Sequence, residues 1–229
     1  MRYSSIRNLT FVLIGFGILL TAMVGMAFGQ ADHGSDVDPL VDEILTGVEE
    51  RYASSAFSAR FSIESTLKAM QVTDTATGRL LVKYPGKMRW EYETPEPMLL
   101  ISDGHTIWMY SPQDMQVRVG KADEVLGGNQ GVNFLSDIRL LRNQFAIEID
   151  PDGSPDTARL KLTPRGESFD IASITITIAL ETYEVIEVVT TNLNGDIAHV
   201  VFHDIAFQQT FPDELFHFEI PEGADVIQF

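Results

Sequence analysis

The histidines are the first residues to test for chemistry, because histidine is both a common catalytic base and a common zinc ligand. His199 and His203 are four residues apart, a spacing that suits a metal site on a helix. The residues between them, Val200-Val201-Phe202, favour a strand, where positions four apart are too distant for good chelation. His105 follows Asp103-Gly104 and is interpreted as a polar turn residue. These patterns predict no metal site and no catalytic histidine.

Three other patterns also lack a complete chemical set. Asp150, Asp152 and Asp156 loosely resemble a calcium loop, but the glutamate ligand of an EF-hand is missing, so a solvated turn is expected. The glycine-rich stretch at residues 127–131 has no following Lys-Ser/Thr, so it is not a P-loop. No G-x-S-x-G nucleophile elbow is present, which argues against a secreted hydrolase. These residues therefore supply neither a complete catalytic set nor a recognisable cofactor site, and a secreted hydrolase remains a competing hypothesis.

Aromatic residues on predicted strands are the more distinctive feature. Residues 88–110 hold both tryptophans of the chain and two of its six tyrosines. Met88, Trp90 and Tyr92 alternate with charged residues, as in a half-buried strand. Asp103-Gly104 then predicts a tight hairpin. Such aromatics either fill an ordinary β core or line a ligand cavity, and alternation alone does not decide between the two.

The remaining elements predict a mainly β domain. Asp38-Pro39 is a helix start. A helix of about four turns is predicted by an apolar stripe at three- and four-residue steps, made of Val37, Leu40, Val41, Ile44, Leu45, Val48 and Tyr52. Period-two segments then continue to the C-terminus and include Ile197–Phe202, Ile205–Gln208 and Phe216–Ile220 as three separate strands. Roughly ten or eleven strands indicate a single curved antiparallel sheet, or an incomplete (half) β-barrel. A short amphipathic helix around Phe134, Leu135 and Ile138 interrupts the strands.

The N-terminus has the pattern of an export signal. Arg2 and Arg7 precede an apolar run, and Ala27-Phe28-Gly29 has small residues where signal peptidase cuts. We expect residues 1–29 to be removed, which places residues 30–229 in the periplasm as one domain. An uncleaved membrane anchor is the alternative, although the apolar run is short for a spanning helix.

Charge and cysteine content exclude several classes of function. Removal of Arg2 and Arg7 leaves 14 of 16 basic residues against 33 acidic ones, a formal charge of −19. Such a charge repels nucleic acid and favours basic partner surfaces. The chain has no cysteine, so it has neither disulfides nor a lipid-attachment cysteine. We expect a monomer that does not bind nucleic acid.

The stretch from Tyr84 to Val119 resembles the outer-membrane lipoprotein carrier family, LolA. The matching residues are Pro85, Gly86, Arg89, Trp90, Pro95, Ser102-Asp103-Gly104, Ile107-Trp108-Met109-Tyr110 and Gln116-Val117. The closing FHFEIPEGADVI resembles the C-terminal strand of the family. The resemblance implies an unclosed barrel with a helical lid, whose cavity takes the acyl chains of triacylated lipoproteins. It also implies two partners, an inner-membrane lipoprotein-releasing ABC transporter and an outer-membrane acceptor. Transport of this kind makes and breaks no bond, so the resemblance implies a protein that is not an enzyme and needs no cofactor.

The resemblance assigns roles to particular residues. The residues expected to line the cavity are Met88, Trp90, Tyr92, Leu100, Trp108 and Tyr110. The lid is expected at Phe134, Leu135 and Ile138. Family members often have Arg before the turn proline, where it helps to hold the lid closed, whereas this chain has Tyr84. Tyr84 and Arg89 are therefore the candidates for a lid latch.

Two alternatives share this fold. A carrier of another lipid or of a glycolipid would use the same cavity. A lipid-sensing regulatory module would need a second domain, for which 200 mature residues leave little room.

Overall fold

Twelve strands and four short helical elements make up the described part of the chain. The structure, a computed structural model, describes residues 38–53, 56–126, 140–166 and 171–228. The helices are α1 (Pro39–Tyr52), α2 (Ala122–Leu126), α3 (Leu140–Gln144) and a 3-10 helix (Asp213–Phe216). The first six strands are β1 (Ala56–Leu67), β2 (Val72–Lys83), β3 (Lys87–Thr94), β4 (Met98–Asp103), β5 (Thr106–Ser111) and β6 (Gln116–Lys121). The others are β7 (Phe145–Asp150), β8 (Thr157–Pro164), β9 (Ile171–Ala179), β10 (Glu184–Asn192), β11 (Ile197–Gln209) and β12 (Asp225–Gln228).

All twelve strands belong to one open sheet, as predicted. Their order is β12-β6-β5-β4-β3-β2-β1-β11-β10-β9-β8-β7, so β12 and β7 are the two edges. Two antiparallel meanders meet where β1 pairs with β11. Only the pairing of β12 with β6 is parallel in the described sheet, a departure from the fully antiparallel prediction. A flat sheet of twelve strands would be about 50 Å wide. One cluster of buried residues nevertheless joins both meanders, so the sheet curves around a shared core.

Helix α1 closes one side of that core. The side chain of Asp38 caps its first turn by accepting a hydrogen bond from the Leu40 amide at 2.9 Å. The buried stripe follows the predicted spacing and contains Val41, Ile44, Leu45, Val48 and Tyr52. Leu40, expected within the stripe, is 51% exposed because it lies in the first turn beside the cap. The helix packs against β7 and β10.

The two faces of the sheet have different characters. The core face carries the large buried cluster, which includes Phe61, Trp90, Leu100 and Ile176. The outer face carries charged side chains and, across β4 to β6, a second apolar cluster. Among the described helices, α1 contacts the β7–β10 side and α2 contacts β5 and β6. The strands β2 to β4 lie between these two helical contacts.

The C-terminal region differs from its prediction. Residues 216–220, expected as a strand, end a 3-10 helix and continue as extended chain without ladder pairing. Phe216 is fully buried and Phe218 packs on Tyr110, so the alternating aromatics do contact the sheet. They do so by lying on its outer face. The last ladder forms later, at β12. The two strands predicted around Phe202 and Ile205 are one strand, β11, with an irregularity at Asp204, where φ is 51°.

The segment from 211 to 224, here called the C-terminal arm, is tied to the outer face by lysine and arginine. Lys83 donates to the carbonyl of Phe211 at 2.8 Å and to Asp213 at 2.5 Å, and Lys87 lies 2.9 Å from the same carboxylate. Arg89 donates to the carbonyl of Leu215 at 3.1 Å.

None of the helices in the described residues is long and apolar enough to cross a bilayer.

Acid should loosen the arm through Asp213. Hydrogen bonds from Lys83 and Lys87 lower the pKa of Asp213 to about 2. A lowered pKa means that this carboxylate stabilises the fold above its ordinary pKa of about 4, and the contribution is lost as pH falls toward 2. Trp108 reports on the arm because the ring of His217 in the arm packs against it. We expect Asp213→Asn to show, at neutral pH, the altered Trp108 fluorescence that the unmodified protein shows only in acid.

The matched control is Glu214→Gln, because Glu214 forms no ion pair within the described residues. This variant should keep the original acid profile. Superimposable profiles for the Asp213→Asn variant and the unmodified protein would contradict the assigned role.

Candidate functional site

An uninterrupted apolar surface crosses the core face from β1 to β5. Cross-strand register aligns Trp90 with Leu100 and Leu100 with Met109, so all three side chains lie on the same face. Leu80 pairs with Trp90 from the other side. Leu80 and Leu100 are fully buried, and Trp90 retains only 2% of its surface. Four of the predicted cavity residues, Met88, Trp90, Tyr92 and Leu100, belong to this core face.

Aromatic rings form the centre of this surface. The ring of Phe61 lies 4.8 Å from that of Trp90 and 5.1 Å from that of Tyr92, centroid to centroid. Trp90 also approaches Phe202 of β11 at 6.3 Å. Tilted and edge-on pairs of this kind add stability beyond simple burial. Phe61 can occupy its position because Gly78 on the neighbouring strand lacks a side chain; a Cβ there would lie 2.6 Å from the Phe61 ring.

Two buried tyrosines on this core differ in how their hydroxyls are satisfied. Burial raises the pKa of Tyr52, whose hydroxyl accepts a hydrogen bond from the Val185 amide at 3.0 Å. Burial alone raises the pKa of Tyr92, whose hydroxyl has no hydrogen-bond partner in the described residues. Tyr92 therefore brings a polar group into the apolar surface without bonding it to the protein.

Removal of the Tyr52 hydroxyl should cost stability, whereas removal of the Tyr92 hydroxyl should not. We expect Tyr52→Phe to lower the free energy of unfolding by about 1–3 kcal/mol, because the Val185 amide loses its acceptor inside the core. We expect Tyr92→Phe to leave it unchanged or raise it slightly, because no bond is lost. Urea unfolding followed by circular dichroism measures both. A larger loss for Tyr92→Phe than for Tyr52→Phe would contradict this contrast.

Trp108 and Tyr110, predicted to line the same cavity, lie on the outer face instead. Trp108 pairs with Ile101 and Val119, and Tyr110 pairs with Leu99 and Val117. These residues form the second apolar cluster, separate from the core. The rings of His217 and Phe218 in the C-terminal arm pack on Trp108 and Tyr110 at 5.9 and 5.3 Å. On β5 the core-face positions belong to Ile107 and Met109.

Arg89 and Tyr84, the latch candidates, occupy different surroundings. Arg89 is on the outer face and donates to Glu91 at 2.7 Å as well as to the C-terminal arm. It lies at one end of a row of ion-paired side chains across β1 to β3, which also contains Arg60, Arg79, Glu91 and Glu93. Tyr84 lies in the turn between β2 and β3. Phe134, Leu135 and Ile138, like the predicted signal at residues 1–29, lie outside the described residues.

Arg142 is a structural anchor that sequence reasoning missed. From α3 it donates to Glu49 and Asp42 at 2.5 Å and to the Thr46 hydroxyl at 3.0 Å, all on α1. Burial would lower the pKa of Arg142, but its hydrogen bonds to Glu49 and Asp42 outweigh burial and raise the pKa. The interaction joins positions about a hundred residues apart in the chain, so no local pattern predicts it.

Loss of this anchor should destabilise the packing of α1 and α3. We expect Arg142→Met to lower the free energy of unfolding by about 1–2 kcal/mol, allowing for the partial exposure of its partners. The control is Arg60→Met, which removes a more exposed pair with Glu93 and should lower it by less than about 1 kcal/mol. Chemical denaturation measures the free energy of unfolding of both variants. Equal losses would show that the ion pairs of Arg142 contribute no more than an exposed surface pair.

The polar groups around the two histidines of β11 form structural pairs. The two histidines of β11 are on a strand, as predicted. His199 contacts Glu187 at 2.5 Å, and His203 lies 3.4 Å from the Ser62 hydroxyl. Burial would raise the pKa of Glu187, but hydrogen bonds from Thr177 and His199 lower it. No group of three potential ligands is arranged to hold a metal in the parts of the chain that the structure describes.

These features define a class of protein: an open half-barrel of β-strands built around an apolar face. Comparison with known sequences is consistent with this fold. Residues 53–219 match the family described as Outer membrane lipoprotein carrier protein LolA, and the chain belongs to that family.

Individual relatives agree with this assignment. An outer-membrane lipoprotein carrier protein from Hahella chejuensis is 26% identical over 210 residues, covering 92% of this chain and 96% of the relative. One from Nitrosomonas europaea is 30% identical over 172 residues, covering 75% and 82%. A solved structure of an uncharacterized conserved protein from Thermus thermophilus superposes with a TM-score of 0.55 at 14% identity, covering 83% of this chain and 99% of that one. The structural match concerns the fold alone.

Proposed function

We propose that this protein binds the acyl chains of lipoproteins against its core face and carries them through the periplasm. The donor is an inner-membrane lipoprotein-releasing ABC transporter, and the recipient is an outer-membrane acceptor. Binding and release require no bond to be made or broken, so the protein acts without enzymatic activity. The observation that carries the proposal is the continuous set of uncharged, buried side chains from Phe61 through Trp90 and Leu100 to Met109 on an open sheet.

The energetics of lipid transport favour such a surface. Each buried methylene contributes roughly 0.8 kcal/mol, so triacylated cargo cannot cross water unshielded. A sheet with two free edges can widen to admit a ligand, whereas a closed barrel of fixed strand number cannot. The excess of 33 acidic over 16 basic residues in the whole chain should accelerate encounters with basic donor and acceptor surfaces.

The two tryptophans allow a direct test, because Trp90 is on the core face and Trp108 is on the outer face. Trp108→Phe leaves Trp90 as the reporter, and Trp90→Phe leaves Trp108. Each variant is titrated with a synthetic triacylated lipopeptide that has brominated acyl chains, since bromine quenches tryptophan only at contact. We expect strong quenching of Trp90 and little quenching of Trp108.

Controls separate binding to the core face from adhesion to the surface. The deacylated peptide should quench neither tryptophan, and the unbrominated lipopeptide reports any change caused by binding alone. Preferential quenching of Trp108 would place the lipid on the outer face and overturn the proposal. Saturating addition without quenching of Trp90 would do the same.

A further inference from the structure

The side chain of Arg118 puts a positive charge on the same face of the sheet as the apolar core residues. It belongs to β6, and cross-strand register pairs it with Met109, which pairs in turn with Leu100. The side chains of paired residues lie on one face, so Arg118 continues the row that begins at Trp90. With strands about 4.8 Å apart, Arg118 lies roughly 14 Å from Trp90 across the sheet. Helix α2, whose Ala122 and Val125 join the core, begins four residues later.

Arg118 is partly buried and has no partner in the described residues. Its Nε atom is enclosed and has no hydrogen-bond acceptor, and no described carboxylate lies within 4.0 Å of the guanidinium. By contrast, six described arginines do form an ion pair: Arg51, Arg60, Arg79, Arg89, Arg142 and Arg159. The Nε atoms of Arg51 and Arg159 are also enclosed without an acceptor, but each of those guanidiniums has an ion pair, so Arg118 is the one of the three with no ion pair in the described residues. An enclosed N–H without an acceptor destabilises a fold by about 1–3 kcal/mol, a cost that a ligand bonded to the group would offset.

A guanidinium beside an apolar surface suits an amphipathic anion. Arginine binds phosphate through two parallel hydrogen bonds, and such bonds are strengthened when water is partly excluded. The hydrocarbon of the ligand would cover Trp90, Leu100 and Met109, with its phosphate at the end of the row. The acyl chains of a lipoprotein carry uncharged ester and amide oxygens, which do not match a full positive charge as well.

We propose that Arg118 is the phosphate-binding residue of a glycerophospholipid site, and that the protein accepts phospholipid as well as lipoprotein acyl chains. The inference rests on the proposed use of the core face for acyl chains and adds a second ligand class to it. The glycerol backbone would lie between the phosphate on Arg118 and acyl chains that extend toward Trp90.

The experiment compares two soluble lipids that differ in the headgroup. Dioctanoyl phosphatidylglycerol and dioctanoylglycerol are titrated into the mature protein carrying Trp108→Phe, with Trp90 fluorescence as the readout. We expect the phosphatidylglycerol to bind about tenfold more tightly or better. In Arg118→Gln the preference should vanish while the affinity for dioctanoylglycerol stays the same. Arg118→Lys should retain part of the preference.

Controls identify the source of any effect. Arg79→Gln changes an outer-face arginine that is paired with Glu91, and the headgroup preference should remain. Inorganic phosphate at lipid-like concentrations should not compete; competition at equal affinity would show a free-anion site and overturn the lipid assignment. Equal affinity for both lipids in the protein with Arg118, or an unchanged preference in Arg118→Gln, would overturn the role of Arg118 alone. Binding of neither lipid would overturn the proposed function together with this inference.

Discussion

Phe61→Ala is expected to lower the free energy of unfolding by about 3–5 kcal/mol, because it removes a ring from the centre of the core face. Phe61 is 2% exposed and contacts both Trp90 and Tyr92. The cavity left behind cannot collapse easily, since strands on either side hold the neighbouring rings in register. Chemical denaturation followed by circular dichroism measures the loss, provided that the slope with denaturant is unchanged.

The same truncation on the outer face provides the matched control. Phe218 packs on Tyr110 and is only partly buried, so Phe218→Ala should lower the free energy of unfolding by about 1 kcal/mol. Lipopeptide binding should weaken in Phe61→Ala and persist in Phe218→Ala. If the two variants lose equal stability and bind equally well, the distinction between the faces does not hold.

Gly78→Ala is the second substitution with a large expected effect. A Cβ at this position would lie 2.1 Å from the backbone oxygen of Glu91 and 2.6 Å from the ring of Phe61. Because a backbone oxygen within a ladder cannot move aside as a flexible side chain can, β2 and β3 must separate. Overpacking usually destabilises by about 1–3 kcal/mol, and we expect about 3 kcal/mol or more here.

Gly166→Ala is the corresponding control. An added Cβ at Gly166 meets nothing within 4 Å among the described residues, so the free energy of unfolding should change by less than about 0.5 kcal/mol. Thermal and chemical unfolding of both variants give the comparison. A Gly78→Ala protein as stable as Gly166→Ala would mean that the close approach of β2, β3 and Phe61 is wrong.

Local chemistry made much of the fold predictable. Asp38-Pro39 predicts a helix start, because the aspartate side chain can accept a hydrogen bond from a first-turn amide. Proline suits the first helical position because the backbone N–H that it lacks would have no partner there, and α1 begins at Pro39. Asp103 predicts its hairpin because its carboxylate accepts from the amides of His105 and Thr106 at 2.8 and 2.7 Å. Ile174, Ile176 and Ile178 alternate with Thr175 and Thr177 in the sequence, a pattern that predicts a strand with one apolar face, and all three isoleucines are buried on β9.

Tertiary geometry explains what the sequence did not reveal. Both alternating sets on β5 are apolar, because the outer face is itself covered by the C-terminal arm, so period two could not place Trp108. The arm was misread for the same reason: its alternating aromatics pack on a sheet without joining it. The anchor at Arg142 and the unpaired guanidinium of Arg118 depend on register and on contacts between distant segments.

The assignment of roles to the two faces follows from these contacts. Charge is arranged on the outer face in pairs such as Arg79–Glu91 and Arg60–Glu93, each at 2.7 Å. The core face between Phe61 and Met109 is free of charge, and its one unbonded hydroxyl in the described residues is that of Tyr92. Such a surface favours acyl chains and offers nothing that would react with them.

The most direct test of the central claim is native mass spectrometry, with lipid analysis, of the mature protein purified from the periplasm without detergent. The account predicts a complex of one protein with an acylated ligand, either a triacylated lipoprotein or a phospholipid, that is lost in a variant with a disrupted core face such as Phe61→Ala. A ligand-free protein that also fails to take up a synthetic triacylated lipopeptide would contradict it, and the core face would then be an ordinary packed core.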